Sequence, residues 1–288
     1  MRESLFISVI TNQSEVWVNT TEKDLTHLES LNANLICWAL QSNSKTSKCI
    51  MLLELGLKPI RYYIMQKRMM YLHKLLTKGK NTLASKVLHS QMKNTLKGDW
   101  YKECLKDIKE LKFNRENIES FTKNGMNKAL KEAIEKAAIK YLLKEKDKQS
   151  KGKELFYSSL QTQSYFKPDS NLSSREMKQM FQIRSRNLPL KDNFPNQFSD
   201  RNCVIPECAG QDSQRGLFHC NYLEPMNIIL ETGIEYEDIF SNNVSKQRCV
   251  MKVLYQKYES RLKYLASLTK KGTPGDQEES TSLGSRVH

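Results

Sequence analysis

The stretch Leu52–Tyr101, LLELGLKPIRYYIMQKRMMYLHKLLTKGKNTLASKVLHSQMKNTLKGDWY, decides how this chain folds. From Lys58 to Gly98 it contains ten lysines and arginines and no aspartate or glutamate. Gly56 is placed to end one helix, and Pro59 to begin the next without losing a useful N–H. Apolar residues recur at helical spacing at Ile60, Ile64, Met69, Leu72, Leu75 and Leu76. The pattern predicts a helix with one packed face and one cationic face.

The positive charge of the chain is concentrated in its middle third. The 288 residues carry a net charge of +14, and residues 58–153 hold 25 Lys and Arg against 10 Asp and Glu. Two interpretations fit a lysine-rich helix: an ordinary solvated face, or a surface for a polyanion. Solvated helices usually mix signs, because opposite charges at i and i+4 stabilise them and like charges repel. The acid-free run therefore favours nucleic acid as the partner.

Basic side chains at the start of this run are the predicted contacts with RNA or DNA. They would contact phosphates, so binding should depend little on base sequence and should weaken steeply with salt. The predicted nucleic-acid-binding residues are Arg61, Lys67, Arg68, Lys74 and Lys78.

Helical patterns cover most of the remaining chain. Thr21 with Asp24 resembles a capping box, with Asp in place of the usual Glu. The helix that follows is predicted to bury one apolar face, formed by Leu25, Leu28, Leu31, Leu35 and Trp38. Ser173 with Glu176 is a second capping box. Its helix should bury Met177, Met180 and Phe181, and should expose the basic residues Arg175, Lys178, Arg184 and Arg186.

The predicted fold class is mainly α: an irregular helical bundle with a small loop-rich cysteine region near the C-terminus and a disordered tail. The polar run KEKDKQSKGK, residues 144–153, is the best candidate for an internal boundary. We therefore expect a basic helical region at residues 1–150 and a second helical region, with the cysteines, at residues 151–269. By composition, residues 270–288 form the tail.

The seven cysteines are odd in number and four of them are scattered, which indicates a reduced, intracellular protein of the nucleus or cytoplasm. No apolar run approaches the roughly 18 to 20 residues that a membrane helix needs. One group, Cys203, Cys208, His219 and Cys220, has the makings of a zinc site. Cys203 and Cys208 form an acceptable C-x4-C pair, but His219 and Cys220 are adjacent and point differently. Two interpretations stay open: one zinc ion, or buried thiols beside an exposed imidazole.

Enzyme signatures are absent from the sequence. Pro168-Asp169 resembles the start of a restriction-type nuclease site, but a following strand with a second carboxylate and a lysine is missing. The chain also has no glycine-rich phosphate loop, no nucleophile elbow and no pair of adjacent aspartates on a hairpin. We expect no catalytic activity.

Several separated segments resemble, in order, the region that follows the catalytic palm in reverse transcriptases of non-LTR retrotransposons. The resemblance covers about residues 5–265, and the order of the segments is more specific than any one of them. The segments are SEVWVNTTEKDLTHLE (14–29), LELGLKPIRYYIMQKRMMYLHKLL (53–76), LKGDWYKECLKDIKEL (96–111), FQIRSRNLPLKDNF (181–194), DSQRGLFHCNYL (212–223) and YEDIFSNNVSKQ (236–247). The resemblance implies a thumb-like helical segment, then a basic linker, then a zinc-knuckle region.

The chain departs from that family in two ways. No segment of these 288 residues resembles the fingers or the palm with its metal-binding aspartates, so the resemblance implies no polymerase activity. The family's knuckle resembles C-x2-C followed by Q-x-H-L-x-x-C. With that pattern aligned on Gln214, Gly216 stands at the histidine and Ile205 at the first cysteine, so only Cys208 and Cys220 match. The resemblance therefore implies a degenerate knuckle.

The function expected from the sequence is non-catalytic binding of RNA or an RNA–DNA duplex by a fragment derived from such a reverse transcriptase. Two alternatives remain. The chain could be a helical protein-interaction module with an acidic partner, or a decayed open reading frame with no selected function.

Overall fold

The computed structural model describes residues 6–42, 46–78, 81–149, 155, 157–193, 198, 200–223 and 233–271, without the side chains of residues 78 and 269–271. These residues form ten α-helices: α1 Ser8–Ile10, α2 Glu22–Leu40, α3 Lys48–Glu54, α4 Ile60–Lys78, α5 Leu83–Lys93, α6 Trp100–Glu110, α7 Lys123–Asp147, α8 Ser174–Arg184, α9 Gln214–His219 and α10 Val244–Lys271. No strand occurs in them, only isolated bridges at Leu55–Thr162 and Asn202–Gln211. The predicted mainly helical fold is confirmed.

None of the helices in these ranges combines the length and the apolar character that crossing a bilayer requires. The chain divides into two compact units, Met1–Asn187 and Leu188–His288. The predicted boundary, between residues 150 and 151, lies outside the residues that the structure describes. The two compact units divide after Asn187. Of the predicted tail, residues 272–288 also lie outside the described part.

Helix α4 is the centre of the N-terminal unit, because α2, α5, α6 and α7 all pack against it. Every apolar position predicted for it is buried, which confirms that part of the pattern. The expectation of one open cationic face is wrong, because Arg68 is also buried, with 4% of its surface exposed. A helix surrounded on several sides cannot keep a whole face in solvent.

Local signals for helix ends are confirmed. Thr21 accepts a hydrogen bond from Asp24 N–H while the Asp24 carboxylate accepts one from Thr21 N–H, so the capping box forms with Asp. Ser173 and Glu176 do the same at α8. Gly56 has a left-handed φ of +63°, and a Cβ there would lie 2.3 Å from the Thr162 backbone nitrogen. Only glycine fits that turn.

The buried face of α2 is only partly the predicted one. Leu25 and Leu28 pack against the core as predicted, but Trp38 is 79% exposed and Leu31 is 43% exposed, whereas Ala33, Ile36 and Leu40 are buried. Helix α2 carries apolar residues on more than one side, and its contacts with α3 and α4 select one of them. Periodicity alone could not choose between the two faces.

A buried ionic network attaches residues 157–184 to α3. The Glu54 carboxylate is fully buried and accepts hydrogen bonds from Arg184 Nε at 2.9 Å and Nη2 at 3.0 Å. Tyr165 OH donates to it at 2.5 Å, and Tyr157 OH donates as well. Burial, with the Glu54 charge, raises the pKa of both tyrosines. The prediction that Arg184 is exposed is wrong, because its guanidinium balances this carboxylate in the interior.

The C-terminal unit is built on the apolar stripe of α10, where Val250, Val253 and Leu254 are buried. This stripe packs against α9 and against the 3₁₀ turn Tyr236–Phe240. Further along α10, Arg261 Nε and Nη2 bind both oxygens of the buried Asp212 carboxylate at 2.8 and 2.6 Å. That pair fixes the start of the segment that leads into α9.

Candidate metal centre and basic surface

Three cysteine sulfurs converge in the C-terminal unit. The Sγ atoms of Cys203, Cys208 and Cys220 all lie within 4.8 Å of one another, and the Cys208 and Cys220 sulfurs are 3.7 Å apart. Tetrahedral zinc with Zn–S bonds of about 2.3 Å places its sulfur ligands about 3.8 Å apart. The spacing is too long for a disulfide bond. The three thiols therefore fit three corners of a zinc tetrahedron.

Backbone N–H groups point at each of these sulfurs. Cys203 accepts a hydrogen bond from Ile205 N–H, Cys208 from Gly210 N–H, and Cys220 from Tyr222 N–H. In every case the donor lies two residues after the cysteine. Such donors stabilise thiolate rather than thiol and orient it toward a metal, as outer-shell groups of metal sites do. The same feature at all three cysteines supports a site built for thiolate ligands.

Two short elements bring the cysteines together. Cys203 N–H donates to Gly210 C=O at 2.9 Å, which closes the loop that carries Cys208. Ser213 caps α9 by accepting a hydrogen bond from Gly216 N–H at 3.0 Å, and Cys220 follows directly after the helix. The loop and the helix end thus supply the two halves of the cluster.

His219 does not join the cluster. Its side chain is exposed, and its ring packs edge-on against Phe218 with the ring centres 5.1 Å apart. Gly216 lies so close to Gln211 that a Cβ would be 2.0 Å from the carbonyl oxygen, so no larger residue, such as a histidine ligand, fits there. The structure therefore brings together Cys203, Cys208 and Cys220 of the four predicted ligands and leaves His219 out.

The environments of the three thiols differ. Partial burial acts to raise the pKa of Cys208, but hydrogen bonds from Gly210 N–H and from the other two thiols outweigh it and lower that pKa. Burial raises the pKa of Cys203 to about 11 and also raises that of Cys220. The three thiols interact with one another, so they would release their protons together when a metal ion binds.

We expect the purified protein to contain one equivalent of zinc. Cys203→Ser, Cys208→Ser and Cys220→Ser should each lower the bound zinc to well below one equivalent, because each removes one thiolate. Elemental analysis after gel filtration measures this. His219→Ala and Cys249→Ser are the controls and should keep the full equivalent, since neither residue lies in the cluster. Zinc loss in His219→Ala, or none in the cluster variants, would contradict the assignment.

The predicted nucleic-acid contacts of α4 are largely used inside the protein. Arg61 is paired with Glu22 and lies over the Tyr141 ring, 4.8 Å from its centre. Lys67 Nζ donates to the Thr11 carbonyl oxygen at 2.6 Å. Lys74 is exposed, and the side chain of Lys78 lies outside the described part. The structure does not bring these residues together on one open face.

Arg68 is the most internal of these cations. It pairs with Asp107 at 2.9 Å and also donates to the Trp17 carbonyl oxygen at 3.2 Å. The two side chains are only 5% and 4% exposed, and this burial raises the pKa of Asp107 to about 6 against the opposing effect of Arg68. A phosphate could reach Arg68 only if this packing opened.

A different basic surface is open to solvent. Lys86, His89, Ser90 and Lys93 line a shallow cavity of about 430 Å³ on α5. Lys97 follows the helix and is exposed, as is Lys74 on α4. In the part of the chain that the structure describes, no carboxylate pairs with these four lysines. We call Lys86, His89, Lys93 and Lys97, which lie on α5 or directly after it, the α5 basic surface.

The acid-free run was predicted to expose its cations mainly on α4, whereas Lys86, Lys93 and Lys97, on and after α5, are the exposed ones that the structure describes in its second half. The signal that could have corrected this was apolar spacing: α4 has six regularly spaced core positions, whereas α5 has the short buried pair Ser85 and Leu88. A helix with fewer core positions leaves more of its cations in solvent.

No protein-family model, no curated protein and no solved structure matches this chain.

Proposed function

We propose that this chain is a non-catalytic nucleic-acid-binding protein that contacts phosphates through the α5 basic surface and holds one zinc ion in its C-terminal unit. The observation that supports it most is the acid-free run itself, whose cations on and after α5 are exposed and have no carboxylate partner among the described residues. Derivation from the post-palm region of a non-LTR reverse transcriptase remains part of the proposal.

The spacing on α5 suits a phosphate backbone. Lys86 and Lys93 are two turns apart on one side of the helix, about 10 Å along the axis. That distance corresponds to about three stacked nucleotides of one strand. His89 lies between them, and its Nδ1–H donates a hydrogen bond to the Ser85 carbonyl oxygen at 2.7 Å, which holds the ring against its own helix. Contacts of this kind position a strand without reading its sequence.

Salt-dependent binding tests the proposal. Phosphate contacts by Lys86, Lys93 and Lys97 predict that log K against log salt falls with a slope between about −2 and −3. Replacing these three lysines together by Glu should weaken binding strongly and bring the slope close to zero. Fluorescence anisotropy with labelled RNA and DNA, single-stranded and duplex, at 50 and 200 mM salt, measures both effects.

The matched control changes Lys128, Lys131 and Lys136 of α7 to Glu. These lysines are exposed too, but Glu132 and Glu135 lie among them on the same helix, and the net charge change is identical. Binding by the control should weaken much less than binding by the α5 variant. Equal losses in both variants, or no binding by the wild type at low salt, would refute the proposed surface.

An acidic protein partner is the second candidate, and one observation favours it. Leu83 is 78% exposed and Val87 is 48% exposed, beside the lysines on α5. An acidic amphipathic helix could cover both the apolar and the cationic residues. Leu83→Ser with Val87→Ser separates the two candidates. It should leave phosphate-driven binding to nucleic acid nearly unchanged but should abolish capture of a designed acidic, leucine-bearing helical peptide.

A further inference from the structure

Lys257 lies in the middle of the apolar stripe of α10, between residues of the core. Its side chain is fully buried, as are Val253 and Leu254 beside it. Lysine is almost never fully buried unless its charge is paired. The position therefore calls for a specific partner.

The ammonium group of Lys257 binds the backbone that carries Cys220. Its Nζ donates to the carbonyl oxygens of Phe218 at 2.6 Å and of Cys220 at 2.9 Å. Both carbonyls belong to the end of α9, from which the Cys220 sulfur enters the cluster. The hydrogen bonds thus fix the position of one predicted zinc ligand.

Carbonyl dipoles alone leave the positive charge of Lys257 without a counter-ion. Among the residues that the structure describes, no carboxylate pairs with it, and a buried cation without an opposite charge is strongly disfavoured. Three thiolates around one Zn²⁺ carry a net charge of −1. The proposed zinc centre, next to Cys220, would supply the missing negative charge.

We infer that Lys257 is a positioning residue of the zinc centre: its charge balances a zinc ion held by three thiolates, and its hydrogen bonds hold Cys220 in place. The inference rests on the zinc site proposed above. The charge balance is complete when the fourth ligand is neutral. The zinc centre and the Lys257 charge then stabilise each other. The protein should therefore bind zinc more weakly without the charge of Lys257, and should be less stable without zinc.

Three variants of Lys257 separate its charge from its hydrogen bonds. Lys257→Met removes both, Lys257→Gln keeps a donor and removes the charge, and Lys257→Arg keeps the charge. Lys252→Met, on the exposed side of the same helix, is the control. Competition with a chromophoric chelator measures the zinc affinity of each full-length protein. The cobalt(II) absorption spectrum reports on the thiolate ligands.

We expect Lys257→Met and Lys257→Gln to bind zinc at least about 10-fold more weakly than the wild type, as loss of an outer-shell partner does. Lys257→Arg should recover part of the affinity, and Lys252→Met should change nothing. The increase in melting temperature produced by zinc should also shrink in the two neutral variants. A residue that only anchors the fold would lower the stability of the zinc-free and zinc-bound forms equally.

Unchanged zinc affinity and an unchanged cobalt spectrum in a folded neutral variant would overturn the role of Lys257. If both neutral variants fail to fold, with or without zinc, Lys257 serves the fold alone. That result would also overturn its proposed role in the zinc centre. If the wild type itself binds no zinc, the proposed zinc site is wrong. If the wild type binds zinc and no Lys257 variant changes that binding, only the role of Lys257 is wrong.

Discussion

Chelation of zinc is expected to unfold the cysteine region of the C-terminal unit while the N-terminal unit stays folded. Between residues 200 and 223 the regular structure is limited to the short helix α9 and one isolated bridge, and the segment is attached to α10 by the packing of α9, the Asp212–Arg261 pair and the Lys257 hydrogen bonds. Structural zinc in small domains contributes about 10 to 16 kcal/mol to folding. That contribution is comparable to the whole stability of a typical domain, so the segment should not hold its structure without the ion.

Hydrogen exchange read peptide by peptide checks this expectation. After treatment with a strong chelator, peptides from residues 200–223 should lose their protection, and peptides from α10 should follow in part. Fluorescence supplies the internal control, because all three tryptophans, Trp17, Trp38 and Trp100, lie in the N-terminal unit. Unchanged exchange after proven metal removal would show that zinc does not support this fold.

Glu54→Gln is expected to destabilise the N-terminal unit by about 3 to 5 kcal/mol. Breaking a buried ion pair leaves the other charge without compensation, and here Arg184 would remain in the interior. The hydroxyl groups of Tyr157 and Tyr165 would also lose their carboxylate acceptor. Arg184→Met should have an effect of similar size, because it leaves Glu54 charged and buried.

Urea denaturation followed by tryptophan fluorescence measures this loss in the N-terminal unit alone. The double variant Glu54→Met with Arg184→Met should lose less stability than the sum of the two Met single variants, because neither charge is then left alone. Lys148→Met is the control. It breaks a solvent-exposed pair with Glu145 in the same unit and should change stability little. Additive losses in the double variant would mean that the pair is not coupled as the structure indicates.

The network around Glu54 also explains the position of the division between the units. The sequence placed the boundary in the lysine-rich run before residue 154, where composition changes. Tyr157, Tyr165 and Arg184 all come later, yet each donates to a carboxylate on α3. Residues up to Asn187 therefore share the packing of the N-terminal unit, and this depends on pairs more than 100 residues apart.

Helix ends and the core positions of α4 could be predicted from the sequence. Capping at Thr21 and Ser173 and the turn at Gly56 depend on residues a few positions apart, so the local sequence contains all the information needed. The same holds for the grouping of Cys203 with Cys208, which lie in one short loop.

The sequence by itself determined that this protein is helical, basic in its middle third and supplied with thiols that could bind zinc. Only the tertiary structure decided which cations remain open and which thiols meet. Arg61 pairs with Glu22, Arg68 with Asp107 and Arg184 with Glu54, while Cys220 joins the loop of Cys203 and Cys208. Helix formation follows from neighbours along the chain, but neutralising a charge depends on distant residues that packing brings within a few ångströms.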